Sequence, residues 1–264
     1  MIIKQLNGHS GCKVLLYEEK NKKFVRKISK SIDYNDRLIA QCEKQKTFKS
    51  SFIRTPCVFD EGIKDDLYFF DMQYINGITF NGFISTNPIQ NINPIIDKLF
   101  KFIYDNTGDK KDYTEKIFNK LTSLENLNMT NLKRYKKYCL NHDWSQIPSG
   151  FCHGDLTFEN IIIYNSEVYL IDFLDCFMET KYSDFSKILQ DVLLLWSWRN
   201  SPNKPFVKNI YLYNRIVSLL DKEEISIVHR LLVLNMLRIL PYSNKQTSKM
   251  VQTKLDYIMG RIDQ

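Results

Sequence analysis

The sequence predicts an α+β fold in two parts, a small antiparallel sheet with one helix followed by a larger, mainly helical part. Three observations support this. Short strand-like runs alternate with polar turns up to about residue 77, apolar residues then recur at helical spacing, and one further pair of short strands interrupts the helices. We therefore expect an N-terminal lobe over residues 1–77 and a C-terminal lobe over residues 78–264.

The N-terminal part contains four strand-like runs around one helical segment. Residues 13–17 (KVLLY) and 23–28 (KFVRKI) flank the polar stretch EEKN, a pattern typical of a hairpin. One helix is expected over 33–48, with Leu38, Ile39 and Cys42 on one side. Two more strands, CVFDEGI and LYFFDMQYI, enclose a polar loop and complete the expected sheet.

The C-terminal part shows mostly helical periodicity. Pro148-Ser149-Gly150 interrupts it, and two short β-type runs follow, IIIY and VYLI, joined by the turn Asn165-Ser166-Glu167. The helical segments are expected over 92–103, 117–124, 132–140, 185–198, 207–220 and 224–240.

Composition excludes some classes of function and favours others. Hydrophobic residues make up 44% of the 264 residues, so the chain can bury a sizeable core and wholesale disorder is excluded. The net charge of +7 is compatible with an anionic partner, but the lysines are scattered along the whole chain. We expect a solvated basic surface and no nucleic-acid partner.

The cysteines and the apolar segments indicate a compartment. The six cysteines form no CxxC pair and no zinc spacing, which predicts free buried thiols in a reducing environment. The N-terminal segment lacks the apolar stretch of a signal peptide. The most apolar stretch, 225–240, is broken by polar residues and is expected to be a core helix too short to span a bilayer. These patterns predict a cytoplasmic protein with no membrane partner, and they leave the oligomeric state open.

One group of residues carries recognisable chemistry. Asp155 is followed five residues later by Asn160, and the expected hairpin then ends at Asp172. Phosphoryl transfer to an alcohol needs a carboxylate that orients the hydroxyl and accepts its proton, and it needs hard oxygen ligands for Mg²⁺. The hairpin returns Asp172 to the loop that carries the other two residues, so a base and two metal ligands can meet there.

The runs HGDLTFEN (153–160) and IDF (171–173) resemble the catalytic and metal-binding loops of the aminoglycoside phosphotransferase and choline kinase group of the protein-kinase-like superfamily. This group has His-Gly-Asp where protein kinases have His-Arg-Asp, and no Gly follows the Asp-Phe pair here. The resemblance implies the bilobal protein-kinase-like fold and ATP as phosphate donor. It also implies Asp155 as the base, Asn160 and Asp172 as magnesium ligands, and a structural role for His153.

The nucleotide side of the site is expected from two upstream features. A small-residue loop with Gly8, Ser10 and Gly11 lets backbone N–H groups approach phosphates. By resemblance, Lys27 takes the place of the lysine that holds the α- and β-phosphates. Arg26 and Lys30 are nearby alternatives, although strand alternation places Arg26 on the opposite face.

The resemblance also assigns a partner for this lysine and a hinge. Glu43, on the expected helix, is the candidate partner of Lys27, with Asp36, seven residues earlier, as the alternative. The segment 72–77 (MQYING) resembles the hinge between the lobes. It implies that backbone groups of Gln73 and Ile75 bond the adenine edge and that Met72 lines the pocket behind it.

The acceptor side is less specific. Asp175 is either an extra site carboxylate or a turn residue, Asp184 matches a structural helix cap of the family, and Asp191 lies in the same helical stretch. Three aromatic residues are candidates for an acceptor wall, although core packing is expected for at least two of them: Trp196, Trp198 and Tyr242.

The expected reaction is transfer of the γ-phosphate of ATP to a hydroxyl of a small molecule. A sugar or related small alcohol is favoured, while an amino alcohol such as choline or ethanolamine, or an aminoglycoside, stays open. Two other classes are a nucleotide-binding pseudokinase scaffold and, less in keeping with the sequence, a protein kinase. The short segment between Asp172 and Asp184 leaves little room for a peptide-docking activation segment.

Overall fold

The computed structural model describes residues 1–6, 11–127 and 129–262. The chain forms two compact units. The first consists of Met1–Phe102 and His153–Asp175, and the second of Ile103–Cys152 and Cys176–Gln264. The boundary between functional lobes that the sequence places near residue 77 stays a prediction. Each unit is described by itself below.

The elements of the described chain follow the predicted order. The strands are β1 (Ile2–Leu6), β2 (Lys13–Glu19), β3 (Lys22–Ile28), β4 (Val58–Lys64), β5 (Leu67–Gln73), β6 (Ile78–Thr79), β7 (Lys110–Lys111), β8 (Ile147–Pro148), β9 (Ile161–Tyr164) and β10 (Glu167–Leu170). The α-helices are α1 (Asn35–Thr47), α2 (Phe80–Thr86), α3 (Ile89–Asp105), α4 (Thr114–Thr122), α5 (Leu132–Leu140), α6 (Lys181–Val192), α7 (Phe206–Leu219), α8 (Lys222–Ile239) and α9 (Lys245–Ile262).

A five-stranded antiparallel sheet forms most of the first unit, in the order β1-β2-β3-β5-β4. The hairpin of β2 and β3 turns at Lys20 and Asn21, which both have positive φ, as a two-residue hairpin loop requires. Asp65 and Asp66 do the same between β4 and β5. The predicted combination of an antiparallel N-terminal sheet with a mainly helical C-terminal part is confirmed, with β1 as a strand that the sequence pattern did not predict.

Helix α1 packs on one face of this sheet. Its residues Leu38 and Cys42 are buried in a cluster with Leu16, Val25 and Phe70 of the strands, whereas Ile39, expected on the same side, is exposed. Because side chains alternate along a strand, the face of β3 that presents Val25 also presents Lys27. This alternation places the ammonium of Lys27 under helix α1.

A second, smaller sheet completes the first unit. Strands β10, β9 and β6 pair in that order, and the β9–β10 turn at Asn165 and Ser166 again has positive φ. Arg54, just before β4, forms two backbone hydrogen bonds with the outer edge of β10. Its N–H donates to Val168 O (2.8 Å), and its carbonyl oxygen accepts from Leu170 N–H (2.8 Å). The predicted hairpin is therefore present, and backbone bonds tie it to the segment that enters the large sheet.

The second unit has a core built around α6 and α8. Every residue of α6 except Lys187 is buried. Lys181, at the start of α6, forms an ion pair with Glu224 of α8 (2.6 Å) and lies over the ring of Tyr104. Burial of a lysine requires such partners, so this pair fixes α8 against α6. Helix α9, which the sequence analysis did not predict, also packs on α8.

Helix α8 and the turn that follows it are longer than expected. Together they span Lys222–Tyr242, 21 residues that contain an 18-residue window with a mean hydropathy of 1.3, which is long and apolar enough to cross a membrane by length and composition. The expectation that this stretch is too short is therefore wrong, because the helix begins at Lys222. One such helix is weak evidence for a membrane, since core helices pass the same test. Here 44% of the apolar window is buried, including all of residues 231–237.

Asp221 is the residue that starts α8. Its carboxylate accepts the N–H of Glu224 (2.8 Å), while its own N–H donates to the Glu224 carboxylate (3.2 Å), which makes a capping box. We expect Asp221→Ala to lower the free energy of unfolding by about 1 kcal/mol, because a helix N–H loses its acceptor. The measurement is urea unfolding. The control is Asp105→Ala at the C-terminal end of α3, where the helix dipole disfavours a carboxylate, so an equal loss there would contradict the capping argument.

Candidate active site

The loop His153-Gly154-Asp155 makes a sharp turn that requires glycine. Gly154 has φ of +88°, and a Cβ there would lie 2.4 Å from the carbonyl oxygen of Leu174. The approach is close because Leu174 N–H donates to His153 O (3.0 Å). The segment after β10 is thus bonded directly to the loop that precedes β9.

His153 is fully buried and holds this loop together. Its Nε2 bonds the carbonyl of Ile171 (2.9 Å), and its Nδ1 accepts the N–H of Asp155 (3.2 Å). These two contacts require a neutral imidazole with the proton on Nε2. Burial lowers the pKa of His153 to about 4, in spite of the nearby Asp155 carboxylate, so the ring stays neutral at physiological pH. His153 therefore positions its neighbours.

Asp155 and Asn160 lie side by side. The amide Nδ2 of Asn160 donates to the backbone oxygen of Asp155 (2.8 Å) and to its Oδ2 (3.1 Å). The turn between them is closed by Thr157 N–H to Asp155 O (2.7 Å) and Asn160 N–H to Thr157 O (2.9 Å). Because the amide nitrogen is engaged with Asp155, the amide oxygen is the atom that remains to bind a cation.

The β9–β10 hairpin brings Asp172 to the same place. Ile171 N–H donates to the backbone oxygen of Asn160 (3.0 Å), so the residue after Ile171 lies beside the loop. Asp172 has φ of +62°, an uncommon conformation for a non-glycine residue that directs the chain away from the strand. Phe173 is buried, and its ring packs on the rings of His153 (4.4 Å) and Phe48 (5.3 Å).

Lys27 completes the group from the large sheet. Its side chain is buried, and its ammonium pairs with the Asp172 carboxylate and donates to Gln41 Oε1 (3.0 Å). The contact with Asp172 links strand β3 to the end of the hairpin, 145 positions along the chain. Of the three basic residues considered, Arg26 instead pairs with Asp71 (2.7 Å), and Lys30 is exposed.

The expected pairing of Lys27 with Glu43 is wrong. Glu43 is exposed and pairs with Lys46 (2.7 Å), and Asp36 is also exposed. The buried face of α1 consists of Leu38, Gln41, Cys42 and Gln45, spaced as helical periodicity requires. The sequence analysis missed Gln41 because it searched for a carboxylate. Its spacing from Leu38 and Gln45 is the signal that would have placed it toward the sheet.

The three expected hinge residues lie at the end of β5 and just after it. Met72 is buried beside Gln45, Gln73 is exposed and its N–H donates to Cys57 O (2.9 Å), and Ile75 is buried. Their contact with a nucleotide stays a prediction. In the expected phosphate loop, Gly8 and Ser10 lie outside the described residues. Gly11 is exposed with φ of +79°, a conformation that favours glycine.

Within the second unit, Asp191 has a structural contact. Its carboxylate is buried and accepts the N–H of Ser197 (2.8 Å), which holds the turn after α6. Asp184 is buried in the first turn of α6, whose N-cap residue is Thr180, so the expectation that Asp184 caps this helix is wrong. Of the three aromatic candidates, Trp198 is buried, Trp196 is partly buried beneath Arg199, and Tyr242 is 91% exposed. The expectation of core packing for at least two of them is therefore wrong. In the first unit, Asp175 is exposed.

The oxygen donors present suit magnesium. Asn160 offers an amide oxygen and Asp172 a partly exposed carboxylate, both hard ligands. Among the described residues, no three His, Cys, Asp or Glu side chains form a metal-binding group. A site with few protein ligands fits Mg²⁺ in particular, because Mg²⁺ is commonly bound by one or two side chains together with substrate phosphates.

Comparisons with known proteins identify the fold. The sequence matches no protein-family model and no curated protein. Among solved structures, aminoglycoside phosphotransferase APH(4)-Ia is similar with a TM-score of 0.69 at 12% identity over 98% of this chain and 93% of that chain. Choline kinase LicA from Streptococcus pneumoniae gives 0.60 at 17% identity, over 97% and 93%. A putative fructosamine-3-kinase from Haemophilus somnus 129PT gives 0.55 at 15% identity, over 98% and 92%.

The chain has the fold of these small-molecule kinases. The resemblance inferred from HGDLTFEN and IDF is thereby confirmed for the fold, over nearly the full length of each chain. A thermostable mutant of APH(4)-Ia has been solved in a ternary complex with ADP and hygromycin B. That structure shows what a protein of this fold binds.

Two histidines, the buried His153 and the partly buried His229, predict acid sensitivity of the fold. Burial lowers the pKa of His153 and of His229 to about 4, with two arginines contributing at His229. Since an unfolded histidine has a pKa of about 6.5, the unfolded state binds more protons between these values and stability falls as pH falls. We expect the free energy of unfolding to decrease between pH 6.5 and pH 5, by up to about 1.4 kcal/mol per unit for each histidine.

Urea unfolding at pH 7.5, 6.5, 5.5 and 5.0 measures this dependence. His229→Gln, remote in sequence from the candidate site, serves as the comparison because it removes one of the two groups. The variant is expected to lose less stability than the wild type over the same range. An identical pH dependence in both proteins would contradict the role given to His229.

Proposed function

We propose that this protein is an ATP-dependent phosphotransferase that moves the γ-phosphate of ATP to a hydroxyl group of a small metabolite. The observation that carries the proposal is one continuous set of contacts within the first unit. Lys27 reaches Asp172, the backbone of Ile171 reaches Asn160, and Asn160 reaches Asp155. A cation for phosphates, two oxygen ligands and a base therefore lie together, as the reaction requires.

Asp155 is proposed as the base. Its carboxylate orients the acceptor hydroxyl and takes its proton as the oxygen attacks the γ-phosphorus, while the bond to the β–γ bridging oxygen breaks and ADP leaves. Asn160 fixes the carboxylate through its amide at 3.1 Å, and the bond from Asp155 N–H to neutral His153 fixes the backbone. Both contacts hold the base in one geometry before the acceptor arrives.

Lys27 is proposed to hold the α- and β-phosphates. Its buried position leaves little freedom to the ammonium, so it can act as a placed point charge. Asn160 and Asp172 would hold Mg²⁺, which would offset phosphate charge when bound. Backbone groups of Gln73 and Ile75 would bond the adenine edge beside Met72, and the loop with Gly8, Ser10 and Gly11 would approach the phosphates.

The class of acceptor is proposed from the chemistry of proteins that share the fold. Their names describe an aminoglycoside phosphotransferase, a choline kinase and a putative fructosamine kinase, all with small acceptors. We favour a sugar or related small alcohol, with choline, ethanolamine or an aminoglycoside as alternatives. Only eight residues separate Asp172 from the start of α6 at Lys181, which supports a small acceptor over a peptide.

We place the reaction in the cytoplasm. ATP is the proposed donor, and the six cysteines are all free. Four of them are buried as expected, while Cys57 is exposed and Cys176 is partly buried. Free thiols persist where the surroundings are reducing.

A screen of acceptors tests the function. Purified protein with ATP and Mg²⁺ is mixed with sugars, amino alcohols, aminoglycosides and other small alcohols, and ADP release is followed. Acceptor-stimulated release from one class, with a phosphorylated product in the mass spectrum, is the expected result. Stabilisation by ATP and Mg²⁺ without release on any acceptor would favour a nucleotide-binding scaffold.

Asp155→Asn tests the base. The amide keeps the size of the side chain but cannot accept the proton, so kcat is expected to fall by about 10²- to 10⁴-fold while the fold and ADP affinity persist. Turnover with the best acceptor and calorimetric ADP binding measure the two effects. The matched control is Asp65→Asn, in an exposed left-handed turn position that Asn tolerates. Near-normal turnover of Asp155→Asn would remove Asp155 from this role.

A further inference from the structure

The amide of Gln41 occupies the position next to Lys27 where a carboxylate was expected. Gln41 Oε1 accepts a hydrogen bond from Lys27 Nζ (3.0 Å), and its Nε2 donates to the hydroxyl of Tyr34 (3.3 Å). All three residues are buried. The oxygen of the amide thus faces the cation and its nitrogen faces an acceptor, which satisfies both ends of the side chain.

Nearby carboxylates are engaged elsewhere. On α1, Glu43 pairs with Lys46 at the surface. Glu61 of β4 accepts from the hydroxyl of Tyr68 (2.6 Å) and also pairs with Lys46 (2.8 Å). Within the part of the chain that the structure describes, Asp172 is the only carboxylate that pairs with Lys27.

A neutral hydrogen bond does not balance a buried charge. Gln41 directs the ammonium of Lys27 but brings no charge of its own, so the counter-charge comes from Asp172. Asp172 is also a proposed magnesium ligand. The ammonium and a divalent cation therefore draw on the same carboxylate, and they repel each other there.

We infer that Gln41 is a positioning residue for Lys27 and that its neutral amide makes binding of Mg²⁺ at Asp172 depend on the nucleotide. Nucleotide phosphates attract Lys27 away from Asp172 and so release the carboxylate for the metal. With a carboxylate in place of Gln41, Lys27 would keep a partner at all times and Asp172 would be open to Mg²⁺ even without nucleotide. This inference rests on the proposed function and adds an order of binding to it.

The test compares wild type, Gln41→Glu and Gln41→Met without nucleotide. Each protein is titrated with Mg²⁺ alone, and the melting temperature is followed. We expect the Mg²⁺ concentration for half-maximal stabilisation to fall by about tenfold in Gln41→Glu, because the added charge takes Lys27 from Asp172. In Gln41→Met this Mg²⁺ concentration is expected to rise or to stay too high to measure, because Lys27 loses its neutral acceptor and keeps only Asp172 as a partner.

Two further variants separate this effect from general electrostatics. Gln45→Glu adds the same charge one helical turn later on the same buried face, where Gln45 Nε2 donates to Pro56 O (2.8 Å) and does not contact Lys27. It is expected to leave the Mg²⁺ midpoint unchanged, even if the melting temperature falls. In an Asp172→Asn background, Gln41→Glu is expected to give no gain in Mg²⁺ binding.

Calorimetric binding of ADP, with and without Mg²⁺, distinguishes the possible failures. If both the wild type and Gln41→Glu bind ADP but have the same Mg²⁺ midpoint, this inference is overturned and the proposed function still stands. An equal gain in Gln45→Glu also overturns it. Absence of ADP binding in the wild type under all conditions counts against both. If Gln41→Glu does not fold, a fall in the Mg²⁺ midpoint of Gln41→Met overturns the inference instead.

Discussion

The buried ammonium of Lys27 is the constraint on which the first unit depends. A lysine is rarely buried without partners, because the charged form must be balanced and hydrogen-bonded. Strand β3 carries this charge under helix α1, and the balancing carboxylate comes from the far end of the β9–β10 hairpin. The large sheet, the helix and the hairpin must therefore meet at one point, and the candidate site lies where they meet.

The fold could be predicted from the sequence where local chemistry determined it. The β2–β3 and β9–β10 hairpins have polar two-residue turns between β-type runs, and the long helices have regular apolar spacing. Strand β1 was missed because four of its five residues are exposed, so no alternation marks a buried face. Helix α9 was missed because its few buried residues are separated by polar ones.

In the candidate site, the order of polar residues predicted the loop and the hairpin but not the partner of Lys27. Asp155, Asn160 and Asp172 lie close in sequence or are joined by one hairpin, so their proximity follows from local structure. Helix α1 contributes Gln41 from a separate element, and the distance along the sequence does not indicate which helix residue reaches Lys27. There the rule of opposite charges indicated Glu43, whereas helical phase placed an uncharged Gln41 inside. The helical phase determined the partner of Lys27, because it decides which side chains of α1 are buried against the sheet.

The turn at Gly154 constrains how this chain can diverge. Its left-handed backbone and the carbonyl of Leu174 leave no space for a side chain, while Leu174 is bonded back to His153. An arginine there, as protein kinases have, would first need a new path for the segment after Asp172. Any side chain at position 154 therefore requires a coordinated change in both segments, because its Cβ would meet the carbonyl of Leu174.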